Sequence, residues 1–290
     1  MAQERRGFSL RAVPVYWHLL SLDAPTLAVL WGWSLARAVN APVSWSTLAV
    51  LGIGTWLLYI ADRLLDGRPG SLRPPLRPTL RERHFFHARH RRAFLVAGAV
   101  ALIPLGWLIA VMPAAARRED ARLFAVALLY FAAVHLPRPR FRLRFPRTLA
   151  VALVFAAASA VSAWSASTTA HADLVWIVAL FAALLWLNCA AIHAWERTQP
   201  PRRWSWISTL ALIVASLAGL LMAAALRHPE LFRLLAAMLA SAMLLFALDL
   251  DFRRARRRPS PQENLSPLAL RILADAALLT PLLLMFPWHR

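Results

Sequence analysis

"LLYIADRLLDGRPG", residues 57–70, decides the reading of this chain. A run of apolar residues long enough to enter lipid ends there in Asp62, Arg63 and Asp66. Two carboxylates one helical turn apart, where a helix leaves a bilayer, demand either a cation between them or arginines around them.

The composition sets the context. Of the 290 residues, 60% are hydrophobic and 16% charged, with a mean hydropathy of +0.53. A soluble domain of this length is far more polar, so the class is a polytopic membrane protein, treated as a single transmembrane domain over residues 1–290. The N-terminal "MAQERRGFSLRAVP" is not a cleavable leader, because the apolar stretch after it is too long and too rich in Trp. The single cysteine, Cys189, excludes an internal disulfide and a Cys-rich metal site. The net charge of +19 comes from arginines placed beside apolar segments, which points to lipid headgroups and a phosphorylated substrate and away from nucleic acid.

Nine helical spans are predicted: Val15–Ala36, Val43–Ala61, Phe94–Met112, Ala121–Leu136, Thr148–Trp164, Leu174–Trp195, Trp206–Leu226, Leu231–Leu248 and Leu268–Phe286. Most approach the ~20 residues that cross a bilayer, and none alternates with period two, which excludes a barrel. Under that topology 25 of the 33 arginines fall on one side and seven on the other, with Arg271 near the inner end of the last helix. The positive-inside bias predicts a cytoplasmic N-terminus and an outside C-terminus, which requires an odd number of spans. The expected location is an inner membrane of bacterial type.

The second, sixth and eighth helices then end in the cytoplasm with Asp62 and Asp66, with Glu196, and with Asp249 and Asp251. An acid at a helix C-terminus is disfavoured by roughly 0.3–1 kcal/mol, and local rules tend to be broken where function requires it. Asp62 and Asp66 share one face, with side-chain roots ~6 Å apart, and Mg²⁺ with oxygen ligands would relieve their repulsion. The other reading is that they pair with Arg63, Arg68 and other loop arginines at a wet interface.

"DRLLD" on the second of nine helices, with an acidic end to the sixth, resembles the UbiA superfamily of intramembrane prenyltransferases. The resemblance implies a nine-helix bundle around a central cavity, and transfer of a prenyl group from a prenyl diphosphate to a lipophilic (aromatic or lipid) acceptor. It implies Mg²⁺ bound by aspartate motifs at the cytoplasmic ends of the second and sixth helices. Carried over residue by residue, Asp62 and Asp66 match the last two aspartates of the first motif, while Leu58 and Tyr59 stand where its Asn and Asp belong. On the sixth helix Asn188, His193 and Glu196 replace a set of aspartates. The expected metal ligands are Asp62, Asp66 and Glu196, with Asn188 beside them. Arg63, Arg68, Arg138, Arg140 and Arg197, with Tyr59, His193 and Asp23, are expected around the substrate. The reduced motif also supports an alternative: a non-catalytic UbiA-like membrane scaffold or lipid-binding protein. A CDP-alcohol phosphotransferase core is excluded, because "DGRPG" at Asp66 does not continue as that motif does.

Four further features stand out. Residues 63–92 form a basic loop capping the cytoplasmic face, in which His84, His87 and His90 belong to an interfacial amphipathic helix. "RPRFRLRFPR", residues 138–147, reads as an anchor gripping lipid phosphates. Asp249 and Asp251 point to different faces beside Arg253, Arg254 and Arg256, which predicts local ion pairing. Asp23 and Asp275 lie ~10 Å along their helices from the cytoplasmic ends, the depth at which ionisable groups face a bundle interior.

Overall fold

The computed structural model describes residues 13–66, 82–135, 147–167, 171–196, 205–257 and 266–286. Among these residues the fold is all-helical, without a strand. In chain order the helices are α1 (Val13–Leu19), α2 (Asp23–Ala38), α3 (Trp45–Asp66), α4 (Glu82–Arg89), α5 (Arg91–Val111) and α6 (Ala114–His135). They continue with α7 (Arg147–Ala166), α8 (His171–Trp195), α9 (Trp206–Ala224), α10 (Pro229–Ala255), α11 (Pro267–Ala276) and α12 (Pro281–Leu284).

Each of the nine apolar segments read from the sequence is helical, but they are not nine equivalent spans. Among the described residues, seven helices are long and apolar enough to cross a membrane, or up to eight if a bent pair forms one span. These suggest an integral membrane protein. The difference from nine lies in α6, which begins at Ala114, earlier than expected. Its first turns carry Arg117, Arg118, Glu119, Asp120 and Arg122, so only its second half is continuously apolar.

The first span also departs from expectation. The Val15–Ala36 helix breaks at Ser21, and α1 meets α2 at 90°. The break is a Schellman turn: the Ser21 amide donates to the His18 carbonyl at 3.1 Å, and the Leu22 amide to the Trp17 carbonyl at 3.0 Å. Ser21 takes the left-handed conformation this requires, at φ 56°. The same device ends α2, with Asn40 at φ 53° and its Ala41 amide on the Ala36 carbonyl at 2.8 Å.

Helix α2 runs through the middle, packed on α3, α7, α10 and α12. Small residues permit the approach. Ala152, Ala156, Ala160 and Ala163 line the buried stripe of α7, and Gly32 of α2 faces Ser159 of α7 and Leu51 of α3. A Cβ on Gly32 would stand 2.9 Å from Leu51 Cδ2 and 3.1 Å from the Ser159 carbonyl oxygen. Around α2 the fully buried Trp31 stacks on Phe181 of α8 at 4.6 Å between ring centroids. Helix α5 packs on α3 and α4 and turns Val96, Ile103 and Trp107 outward.

The last segment is bent as well, through a 3₁₀ turn at Ala277–Leu279 ahead of Pro281. Carbonyls near that bend accept from other helices. Asn188 Nδ2 donates to the Ala274 carbonyl at 2.8 Å and Trp31 Nε1 to the Leu278 carbonyl at 3.0 Å. Exposed tryptophans gather at helix ends: Trp45, Trp107, Trp164 and Trp176 toward one end of the bundle, Trp17 and Trp206 toward the other. This is the aromatic-belt pattern of a bilayer's two interfaces.

Candidate functional site

The acids do gather at one end of the bundle. Asp62 and Asp66 close α3, which meets the start of α7 there, and Glu196 follows α8 beside the start of α11. Asp249, near the end of α10, meets the end of α8 and the start of α9. The opposite end is marked by the Arg37–Glu230 pair joining α2 to α10 at 2.9 Å.

At the foot of α3 the carboxylates are engaged by guanidinium groups. Asp62 Oδ2 accepts from Arg63 Nη1 at 2.7 Å, and Asp62 Oδ1 accepts from Arg147 Nη2 at 2.9 Å. The same Arg147 nitrogen lies 3.6 Å from Asp66 Oδ2, so one arginine of α7 bridges both acids. Arg147 is half-exposed, whereas Arg63 is buried and places its guanidinium carbon 5.5 Å from the centroid of the Tyr59 ring. A cation does sit between Asp62 and Asp66, and it comes from the segment read as a lipid anchor.

Glu196 belongs to a different cluster. It forms a charge-assisted pair with the buried Arg271 of α11. Asn188 spends its amide on the Ala274 carbonyl, so its observed role is to join α8 to the bent last segment. Among the described residues, Asp62, Asp66 and Glu196 do not bring three ligand atoms within 4.8 Å of one another. His193 is exposed on α8. Arg68, Arg138, Arg140 and Arg197 lie outside the described residues.

Asp249 is buried and saturated. Its Oδ1 accepts from Trp195 Nε1 at 3.0 Å, and its Oδ2 from Ser205 Oγ at 2.8 Å and Ser208 Oγ at 2.7 Å. Arg253, also buried, approaches Oδ2 at 3.2 Å and donates to Ser208 Oγ at 2.7 Å. The ion pairing expected for Asp249 is present, inside a network that ties α8, α9 and α10 together.

A second polar layer lies deeper. Asp275 stands eight residues into α11, about 12 Å from its start by the helical rise. It converges there with His18 and Asp23. His18 Nδ1 lies 2.8 Å from Asp23 Oδ2 and 3.6 Å from Asp275 Oδ2. Tyr59, seven residues before the end of α3, is within electrostatic reach of Asp23, Asp275, Arg63 and Cys189, linking this layer to the outer one. The sequence singled out both acids but not His18, because a lone histidine in an apolar stretch reads as packing. Only the turn at Ser21, which sets α1 at a right angle to α2, brings it to them.

The capping segment is partly seen. Helix α4 packs on α1, α3 and α5. His87 is fully buried, stacked on Phe94 at 4.0 Å and 3.4 Å from Ser21 Oγ, while Phe85 and His90 are exposed as an interfacial helix requires. No family model, no curated protein and no solved structure matches the chain.

Proposed function

We propose that this chain is a divergent UbiA-like intramembrane transferase that moves a prenyl group from a prenyl diphosphate to an aromatic or lipid acceptor. On this reading it has nine spans, with the N-terminus and the carboxylate end of the bundle facing the cytoplasm of a bacterial cell. The observation that supports it is the half-exposed Arg147 held between Asp62 and Asp66.

An arginine fixed by two carboxylates keeps its orientation before any ligand arrives, and its planar donors suit phosphoryl oxygens. Arg63, seated over Tyr59, adds a second guanidinium one residue from Asp62. As the allylic carbon–oxygen bond breaks, its electron pair leaves with the diphosphate, and these cations stabilise the growing charge. The apolar helix interior shields the allylic cation from water until the acceptor captures it and gives up a proton.

Asp62 and Asp66, adjacent carboxylates on one face of α3, are the oxygen donor set that fits the magnesium ion the resemblance implies. Those two residues would hold it, with Glu196 committed to Arg271, and it would supply Lewis-acid polarisation of the leaving group. A second reading, a non-catalytic lipid-binding member, is favoured by one fact: Asp62 and Glu196 are both already paired with arginines.

Purified protein in detergent with farnesyl or geranylgeranyl diphosphate and a mixed quinone-precursor or lipid acceptor pool separates the two. Transfer requires diphosphate release that depends on Mg²⁺, falls at least about 100-fold in Asp62→Asn, and falls about 10-fold in Arg147→Met; by transition-state arithmetic these losses are about 2.7 and 1.4 kcal/mol. Equal release by Asp62→Asn overturns the transferase reading. Prenyl diphosphate binding without turnover by the unmodified protein selects the second.

A further inference from the structure

We infer that His18, Asp23 and Asp275 form a binding site for one divalent transition-metal ion, separate from the Asp62–Asp66 pair and independent of the transferase reading. Among the described residues this is the group that brings three potential ligand atoms, an imidazole nitrogen and two carboxylate oxygens, within 4.8 Å.

The spacing is that of a coordination shell. Bonds of about 2.0–2.2 Å in a four- or six-coordinate site put neighbouring ligand atoms roughly 2.9–3.5 Å apart. The observed separations from His18 Nδ1, 2.8 Å and 3.6 Å, bracket that range. His18 is 3% exposed, and neither ring nitrogen makes a directed hydrogen bond to any described residue. A buried imidazole whose Nδ1 faces an oxygen of each carboxylate presents the three atoms that one small cation would bridge.

The supports of the site point the same way. Asp23 Oδ1 accepts the Ala24 amide at 2.9 Å, which fixes the carboxylate and leaves Oδ2 turned toward His18. That is the outer hydrogen bond that orients a ligating acid. The turn at Ser21 brings together two residues five apart in sequence, and Asp275 closes the group from α11 just before the 3₁₀ turn. Two carboxylates with a neutral imidazole carry two negative charges in a partly buried interior, which a divalent cation cancels. One nitrogen with two carboxylates suits Mn²⁺, Fe²⁺ or Zn²⁺ better than Mg²⁺ or Ca²⁺.

The test uses the full chain in detergent, stripped with chelator and titrated with Mn²⁺ under electron paramagnetic resonance. The expected result is one tightly bound Mn²⁺ per chain with a nitrogen hyperfine coupling, distinguished by that coupling from any Mn²⁺ held by oxygens alone at Asp62 and Asp66. Affinity should fall at least about 10-fold in His18→Gln and Asp275→Asn, the scale reached even when a ligand's outer partner is removed, and the coupling should vanish in His18→Gln. Asp62→Asn should leave this signal intact, so failure of the transferase reading and failure of this site are read separately. No bound Mn²⁺, or bound Mn²⁺ without nitrogen coupling in the unmodified protein, overturns the assignment and leaves the trio as an imidazolium held by two acids. That readout does not depend on either variant folding.

Discussion

Replacing Asp249 with alanine should be among the most destabilising single changes at the carboxylate end. The substitution removes the acceptor for Trp195, Ser205 and Ser208 and strands the Arg253 guanidinium, whose side chain is 8% exposed. Three hydrogen bonds at about 0.6 kcal/mol each, the average inside a membrane protein, amount to about 2 kcal/mol. Breaking a buried ion pair by deleting one partner costs about 3–5 kcal/mol. Arg253 keeps its bonds to Ser208 Oγ and to the residue 249 carbonyl, at 2.7 and 3.2 Å, which places the expected loss near the lower limit, about 3 kcal/mol. Asp249→Leu combined with Arg253→Met should recover about 1 kcal/mol of it, the part due to the stranded charge, because the three lost hydrogen bonds stay lost. Reversible unfolding by SDS in mixed micelles, followed through tryptophan fluorescence, measures both. A loss below about 0.5 kcal/mol for Asp249→Ala, or a double variant no better than the single, would refute the reasoning by showing that Arg253 reaches water along its own stem.

Two further outcomes test the packing. Gly32→Ala should cost about 1–3 kcal/mol, because its Cβ meets a backbone carbonyl that cannot rotate away, while Gly54→Ala and Gly106→Ala, with open space around them, should gain about 0.5–1 kcal/mol in the same assay. Asn40→Gly should raise the thermal midpoint and Asn40→Val lower it by the equivalent of about 1–2 kcal/mol, as the left-handed backbone at φ 53° requires.

Much of the helical content could be read from hydropathy, because every long apolar run had to satisfy its backbone within itself. The interruptions were harder. Pro281 signals the interruption of the last segment, but the turn at Ser21 uses neither Gly nor Pro, and the nearest helix-breaking residue is Pro25, four positions on. The acids were legible as a pattern, and their partners were not. Arg147 reaches Asp62 from 85 positions away and Arg271 reaches Glu196 from 75, separations at which a sequence shows charge but not contact. The grouping around His18 depends on a right-angle turn that no periodicity encodes.

The right-angle turn at Ser21 also sets how the molecule meets its lipids. It leaves α2 with 16 residues, about 24 Å of helix, against a hydrocarbon layer of about 30 Å. The shortfall of about 6 Å falls at the α1 end, where α1 lies across the end of α2 and its exposed Tyr16 and Trp17 suit the headgroup level. Lipid headgroups beside α1 thus meet Tyr16 and Trp17, with His18 and Asp23 shielded behind them.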